Sequence, residues 1–162
     1  MSNPVRRTAA IIAAAALALS MSACTRAGWL PDSPPAAGVQ ADDGGLKLRN
    51  IVVVSDDSGE AVLLGGIHSR DDAAEVTGIT VAAEAGFENY GQPVDLGYSE
   101  SISRGATIYL DGSETAFSNP ELQLGRLAEV NVTFGDGTSM SVHTPVMSSE
   151  HEDFAEAYSN AG

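Results

Sequence analysis

The stretch Ala128–Val146, AEVNVTFGDGTSMSVHTPV, determines the fold class. Val130, Val132 and Phe134 alternate with polar residues, which is the period of a β-strand with one buried face. The Gly-Asp-Gly turn that follows contains the Asp-Gly pair favoured in tight hairpins. A second strand comes after the turn, and its apolar face carries Met140, Val142, Thr144 and Val146. This hairpin predicts an antiparallel β domain.

The same two-residue period extends upstream, with turn signals between the apolar runs. Leu46–Asn50 alternates and leads into the apolar run Ile51–Val54, and later turns are indicated at Asp56–Gly59, Asp111–Ser113 and Asn119–Pro120. Short strands at a spacing of about 8–12 residues are typical of sandwiches. We therefore predict an all-β domain over residues 46–147. Its architecture is an antiparallel immunoglobulin-like or cupredoxin-like β-sandwich of about seven strands.

The N-terminus has the layout of a secretory signal. Arg6 and Arg7 precede the apolar run Ala9–Leu19, and small residues lead from there to Cys24. The apolar run is shorter than the ~20 residues that a membrane-spanning helix needs. We expect export by the general secretion route, because the residues after the arginine pair fit the twin-arginine route poorly.

The end of this segment carries a more specific signal for lipid attachment. Met21–Cys24, MSAC, resembles the bacterial lipobox, in which the cysteine sulfur receives a diacylglyceryl group. The resemblance implies that residues 1–23 are a lipoprotein signal peptide and that Cys24 carries the lipid anchor. The chain would then lie at the extracytoplasmic face of the cell membrane. The alternative is a secreted protein in which Cys24 is a free thiol, but a lone thiol is unusual in an oxidising compartment.

Residues 24–45 are rich in Pro, Gly and Ala and show no apolar period, so they predict a flexible tether. Removal of residues 1–23 takes away two Arg and no acid, which changes the net charge from −14 to −16. So acidic a chain is repelled by anionic lipid headgroups. We therefore expect the acyl chains, rather than the protein surface, to hold the domain at the membrane.

Composition and motifs exclude several functional classes. A net charge of −14 opposes binding to nucleic acid, and a single cysteine excludes an intramolecular disulfide and a multi-thiolate metal site. The sequence has no Gly-x-Ser-x-Gly, no His-Glu-x-x-His and no phosphate-binding glycine-rich loop. We therefore predict a non-catalytic binding or accessory module that serves another envelope protein. A hydrolase with a scattered active site is the weaker alternative.

Soft metal ligands are concentrated near the C-terminus and support an alternative function, an extracytoplasmic copper-binding chaperone. Thioether and imidazole groups together favour copper, and the candidate ligands are His143, Met147 and His151. Met140 has the parity of the buried face and is left out of this set. His143 and Met147 share a face only if the strand continues past Pro145.

Residues 148–162 form an acidic tail with a short helical pattern. Phe154 and Tyr158 are four residues apart, so a helix here would have one apolar edge. A helix of two turns is marginal in water unless it docks on another surface. The tail therefore has three possible states: docked on the sandwich, bound to a partner through Phe154 and Tyr158, or frayed in solvent.

A family resemblance covers residues 46–147. Leu122–Met147, with its lead-in glycine, Gly-Asp-Gly turn and Thr-Pro-Val ending, resembles the C-terminal hairpin of the periplasmic copper chaperone family (PCuAC) and of related actinobacterial LpqE-like lipoproteins. The segments similar to other strands of that family are Leu46–Val54, Ala61–Ser69, Glu75–Val81 and Ser103–Leu110. The resemblance implies a cupredoxin-like sandwich outside the cytoplasmic membrane.

The copper ligands of that family are not matched in this sequence. The resemblance places them between Phe87 and Ser101 and between Asp111 and Leu122, and neither segment contains His or Met. Proteins that share a fold often differ in function. No copper ligand is therefore transferred to this chain, and the set His143, Met147 and His151 would be a different site.

Overall fold

The structure is a computed structural model that describes residues 37–161. The strands are β1 (Val39–Asp43), β2 (Leu46–Ser55), β3 (Glu60–Ser69), β4 (Ala74–Gly86), β5 (Asn89–Tyr90), β6 (Val94–Asp95), β7 (Glu100–Ile102), β8 (Thr107–Ser118), β9 (Leu127–Phe134) and β10 (Ser139–Ser148), and the helix α1 spans Ala155–Ser159. The predicted signal peptide, the lipidation site Cys24 and the tether up to residue 36 lie outside the described residues.

The hairpin of residues 128–146 forms as predicted. β9 and β10 pair antiparallel, with Val132 opposite Met140. The backbone N–H of Phe134 donates to the carbonyl of Thr138 at 2.9 Å and closes the turn. The predicted apolar faces are buried, namely Val130, Val132, Phe134, Met140, Val142, Thr144 and Val146. The alternation thus predicts which face of each strand is buried, and this burial is the hydrophobic contribution to the stability of the hairpin.

The strands form two layers around one core. In the first layer β1, β2, β3 and β8 are neighbours in that order. In the second layer β9 lies between β4 and β10, and the short strands β5, β6 and β7 pair with β4. β10 joins the layers because Val146–Ser148 pairs in parallel with Val53–Ser55 of β2. One buried cluster contains side chains from both layers, among them Ile51, Leu63, Val81 and Val130.

β2 contains a β-bulge at Asn50–Ile51. Two residues of β2 lie there opposite the single residue Gly65 of β3. Asn50 has a φ of 51°, a left-handed conformation that asparagine tolerates better than most residues. Gly65 has a φ of 148°, and a Cβ there would lie 3.1 Å from the carbonyl oxygens of Arg49 and Asn50, so the bulge favours glycine at this position.

The bulge inverts the side-chain parity of β2. Lys47 and Arg49 lie on the outer face of the first layer before it, whereas Val52 and Val54 lie there after it. Beyond the bulge both faces of β2 are covered, because the core lies on one side and the C-terminal tail on the other. This accounts for the alternating LKLR segment that passes into the continuous apolar run IVVV.

A buried hydrogen bond joins the two layers beside the bulge. The side chain of Thr144 in β10 is fully buried, and its Oγ1 donates to the carbonyl of Ile51 at 2.6 Å. A buried polar group without a partner costs about 1–3 kcal/mol. The Thr144 hydroxyl therefore stabilises the bulged conformation and ties it to the strand that crosses between the layers.

The all-β sandwich is confirmed, and seven of its strands have five or more residues. The three shorter strands lie within residues 89–102, where the sequence shows no regular alternation. β1 begins at Val39, inside the segment 24–45 assigned from sequence to the tether. Its sequence VQADD is too short and polar to stand out, since only Val39 and Ala41 pack on the edge of the core and the strand is held by backbone pairing with β2. Among residues 37–161, no helix is long and apolar enough to cross a membrane.

We predict that Gly59→Ala destabilises the fold by about 1–3 kcal/mol, because it places a side chain at a strained backbone position. Gly59 has a φ of 87°, and a Cβ there would lie 2.5 Å from the carbonyl oxygen of Asn119. Urea unfolding followed by circular dichroism measures the change. Gly78→Ala is the control, since a Cβ at Gly78 has no neighbour within 4 Å. Equal effects of the two substitutions would contradict this account.

Candidate functional site

An open groove on the outer face of the first layer is the candidate functional site. It has a volume of about 400 Å³ and is lined by Lys47, Arg49, Asn50, Gly65, Gly66, His68, Thr107 and Tyr109. We call it the basic groove. Cavities for small ligands commonly have volumes of about 300–1,000 Å³, so it is large enough for one small molecule.

Strand register places the lining side chains in two rows. Arg49, Gly66 and Tyr109 are directly paired across β2, β3 and β8 and form the first row. Lys47, His68 and Thr107 are paired in the same way and form the second row. Because residues two apart on a strand point to the same face, both rows project from the outer side of the layer.

The first row has a gap at its centre. Gly66 has no side chain and separates the guanidinium of Arg49 from the ring of Tyr109, which is 78% exposed. A Cβ on Gly66 would lie 3.3 Å from Cγ2 of Thr107 and 3.8 Å from Cδ1 of Tyr109. The backbone of Gly66 is therefore the floor of the groove, and Tyr109 is one wall.

Two cations of the groove share one carboxylate. Asp42 Oδ1 accepts from Lys47 Nζ at 3.0 Å and from Arg49 Nη2 at 2.5 Å. Arg49 and Lys47 together hold the pKa of Asp42 below its usual value, with the hydrogen bond from Arg49 as the larger cause. With all three groups ionised, this cluster retains one positive charge in a chain whose net charge is −14.

Both cations retain hydrogen-bond donors that their contacts within the protein do not use. Arg49 uses Nη1 for the carbonyls of Ala41 and Leu48 and one N–H of Nη2 for Asp42. A guanidinium has five N–H groups and an ammonium three, so these contacts do not saturate either side chain. The contacts orient Arg49 along the edge of the groove. Its side chain is 34% exposed and that of Lys47 is 26% exposed, so a ligand can reach both.

The second row contains one fixed polar pair. Nδ1 of His68 and Oγ1 of Thr107 are 3.0 Å apart and hydrogen-bonded. Both residues are half-buried at the floor of the groove. The pair presents an imidazole and a hydroxyl toward the same space that Lys47 borders.

The other half of this outer face is covered by the C-terminal tail. Phe154 is 9% exposed and packs in a cluster with Val52, Val54 and Val62, against which Met147, Tyr158 and Ala161 also pack. Tyr158 donates its hydroxyl to the carbonyl of Glu60 at 3.3 Å, and burial raises the pKa of that hydroxyl. Of the three states expected for the tail, the described one is docked on the sandwich. The docking of a partner on Phe154 and Tyr158 stays a prediction, and a partner would have to displace these contacts.

The candidate copper ligands have different surroundings. His143 stacks on Tyr90 with ring centroids 4.7 Å apart, and its Nε2 is 3.5 Å from Glu129 Oε1 on the outer face of the second layer. Met147 packs in the tail-covered cluster of the first layer. β10 does continue past Pro145, but its partner changes from β9 to β2 there, so parity alone does not bring the two side chains together.

His151 lies in the tail, where its ring centroid is 5.7 Å from that of Phe154. Within residues 37–161, no three His, Cys, Asp or Glu side chains are grouped to hold a metal ion. Copper binding by His143, Met147 and His151 therefore stays a prediction without a contact to support it.

Sequence reasoning did not identify the basic groove. Lys47 and Arg49 stand out as the only lysine and a nearby arginine in a very acidic chain, which is a usable signal. Tyr109 and His68 each look like an ordinary exposed residue in the sequence. Only the register across β2, β3 and β8 shows that they border the same space.

No protein-family model matches the sequence, and no curated protein matches it. Among solved structures, an apo PCuAC domain from PmoF1 is similar at 17% identity with a TM-score of 0.42, covering 68% of this chain and 99% of that one. A copper-bound PCuAC domain from PmoF2 is similar at 15% identity with a TM-score of 0.38, covering 68% of this chain and 98% of that one.

The sporulation control protein Spo0M from Bacillus subtilis is similar at 13% identity with a TM-score of 0.45, and the match covers 74% of this chain and 57% of that one. PCuAC domains are thus among the structures that resemble this chain. At these TM-scores the likeness transfers neither a ligand nor a residue role, and membership of an LpqE-like lipoprotein family stays a prediction.

We predict that Phe154→Ala releases the tail from the first layer and destabilises the domain by about 2–4 kcal/mol. The substitution removes the ring that packs on Val52, Val54 and Val62. Urea unfolding gives the loss of stability. Hydrogen exchange of the tail amides should become faster than in the wild-type chain, and by a larger factor than exchange of the core amides. Phe87→Ala is the matched control, because Phe87 is 85% exposed and its loss should cost less than about 0.5 kcal/mol. Unchanged exchange in the tail of the Phe154 variant would contradict this assignment.

Proposed function

We propose that the chain is a lipoprotein of the cell envelope whose β-sandwich is a non-catalytic module that binds a small ligand in the basic groove. The observation that carries this proposal is the groove itself. It gathers two of the five basic residues found in positions 37–161, together with His68 and the exposed ring of Tyr109. Cations with unused hydrogen-bond donors and an exposed aromatic ring are common features of ligand sites on protein surfaces.

The chemistry of the lining supports binding rather than catalysis. The lining residues include no carboxylate and no cysteine. His68 and Thr107 are a base and a hydroxyl in contact, but a nucleophile of this kind also needs a third group that orients the histidine. The lining residues supply no such group, so the pair is better suited to hydrogen-bond a ligand.

The anchor is supported by the sequence pattern of residues 6–24. An arginine pair, an apolar run and the MSAC motif that ends the segment together favour lipid attachment at Cys24. Two or more acyl chains hold a protein at a membrane stably, because each buried methylene contributes about 0.8 kcal/mol. Residue 37, where the described domain begins, is 13 residues beyond this cysteine. The proposal therefore places the domain on the extracytoplasmic side of the membrane, where another envelope protein is the expected partner.

We predict that Cys24→Ser abolishes lipid attachment. Intact-mass measurement of the chain from bacterial membranes should show a diacylglyceryl-modified Cys24 at a new N-terminus, and the variant should lose that mass and leave the detergent phase on phase separation. Trp29→Ala is the control, because it changes the tether close to Cys24 and keeps the sulfur. Unmodified Cys24 in the wild-type chain would contradict the anchor.

We predict that small ligands bind this chain at the basic groove in preference to other surfaces. In nuclear magnetic resonance spectra of the full-length chain in a neutral detergent, a mixed set of small organic fragments should shift the amide signals of Gly65, Gly66 and His68. His143→Ala should leave these shifts unchanged, since His143 is on the outer face of the second layer. Shifts confined to that second-layer surface would contradict the assignment of the groove.

A further inference from the structure

We propose that the ligand of the basic groove is a small aromatic carboxylate. This inference rests on the proposed function, because it names the ligand class of the same groove. Two separate observations define the class. The first row of the groove has an empty glycine position beside an exposed aromatic ring, and cations with free donors border the opposite side.

The position of Gly66 favours a flat ring. It lies between Arg49 and Tyr109 in the paired register and has no side chain to fill the space between them. We expect a flat ring to suit this position, because it can lie over backbone between two side chains while filling little height. The ring of Tyr109 is 78% exposed and so is available to contact a second ring, in an edge-on or offset arrangement.

The opposite wall favours a carboxylate. Arg49 and Lys47 share the single carboxylate of Asp42, and both retain donors that this carboxylate does not use. A guanidinium has the fork geometry that matches a carboxylate, and charge-assisted hydrogen bonds of this kind are about twice as strong as neutral ones. A ligand carboxylate would neutralise the remaining positive charge of the cluster.

The spacing of the strands agrees with a ligand of one ring. β2 and β8 are separated by β3, so their backbones lie about 9.6 Å apart at a strand spacing of about 4.8 Å. A benzoate-sized molecule spans this distance with its ring toward Tyr109 and its carboxylate toward Arg49. The hydrogen-bonded pair of His68 and Thr107 borders the second row, where it can contact a polar substituent on the ring.

Titration of benzoate into the full-length chain, followed by amide shifts, tests this proposal. We expect benzoate to bind at least tenfold more tightly than acetate, which lacks the ring, and than benzyl alcohol, which lacks the charge. Cyclohexanecarboxylate, which keeps the charge but is not flat, should bind at least threefold more weakly than benzoate.

Four variants separate the two halves of the site. Tyr109→Ala should weaken benzoate binding about fivefold and leave acetate unaffected, whereas Arg49→Gln should weaken both about tenfold. Gly66→Ala should weaken benzoate at least fivefold by placing a methyl group on the floor, and circular dichroism checks its fold because the added Cβ would lie 3.3 Å from Cγ2 of Thr107. Asp42→Asn should tighten benzoate binding, because it removes the carboxylate that competes for the same donors. Phe87→Ala, at a second exposed aromatic residue, should have no effect.

The outcomes separate this inference from the proposed function. Benzoate shifts that are absent, or that survive Gly66→Ala and Tyr109→Ala unchanged, would overturn the ligand class. If inorganic phosphate or acetate then still shifts the groove amides, the groove remains a binding site and only the ligand class fails. If none of these probes shifts the groove amides, both the ligand class and the assignment of the groove fail.

Discussion

The β-bulge at Asn50–Ile51 is the constraint on which the rest of the structure depends. It inverts the parity of β2, so one strand supplies charged side chains to an open groove and apolar side chains to a covered surface on the same face. The glycine opposite it and the buried hydroxyl of Thr144 hold the bulge in place. Bulges commonly redirect side chains near functional sites, and here the redirection divides one outer face into two surfaces with different properties.

Much of the fold follows from local alternation. Residues 128–146 predict a hairpin with defined buried faces, and the structure has that hairpin with those faces. The run IVVV is also informative, because a continuous apolar run indicates a strand that is covered on both sides. The sequence does not predict β1, because only two of its five residues are apolar and the strand depends on backbone pairing with β2.

The groove could not be predicted from the sequence, for a different reason. Its residues come from three strands, and their proximity depends on register, which one sequence does not reveal. The candidate copper ligands show the opposite case, in which residues close in sequence are separated in the structure. His143, Met147 and His151 are close in sequence, yet β10 changes partner between the first two and gives them separate surroundings. Proximity along a strand is therefore a poor guide to proximity in a site where the strand crosses between layers.

The exchange of partners by β10 also sets the order in which the domain can be completed during synthesis. Thr144 meets the carbonyl of Ile51 across 93 residues of chain. A ribosome that adds about 5–20 residues per second delivers these two strands about 5–20 s apart. For that interval Val52 and Val54 of β2 lack Phe154, which packs on them in the folded domain. The outer face of β2 is therefore covered last, because the tail that packs on it follows the final hairpin in the chain.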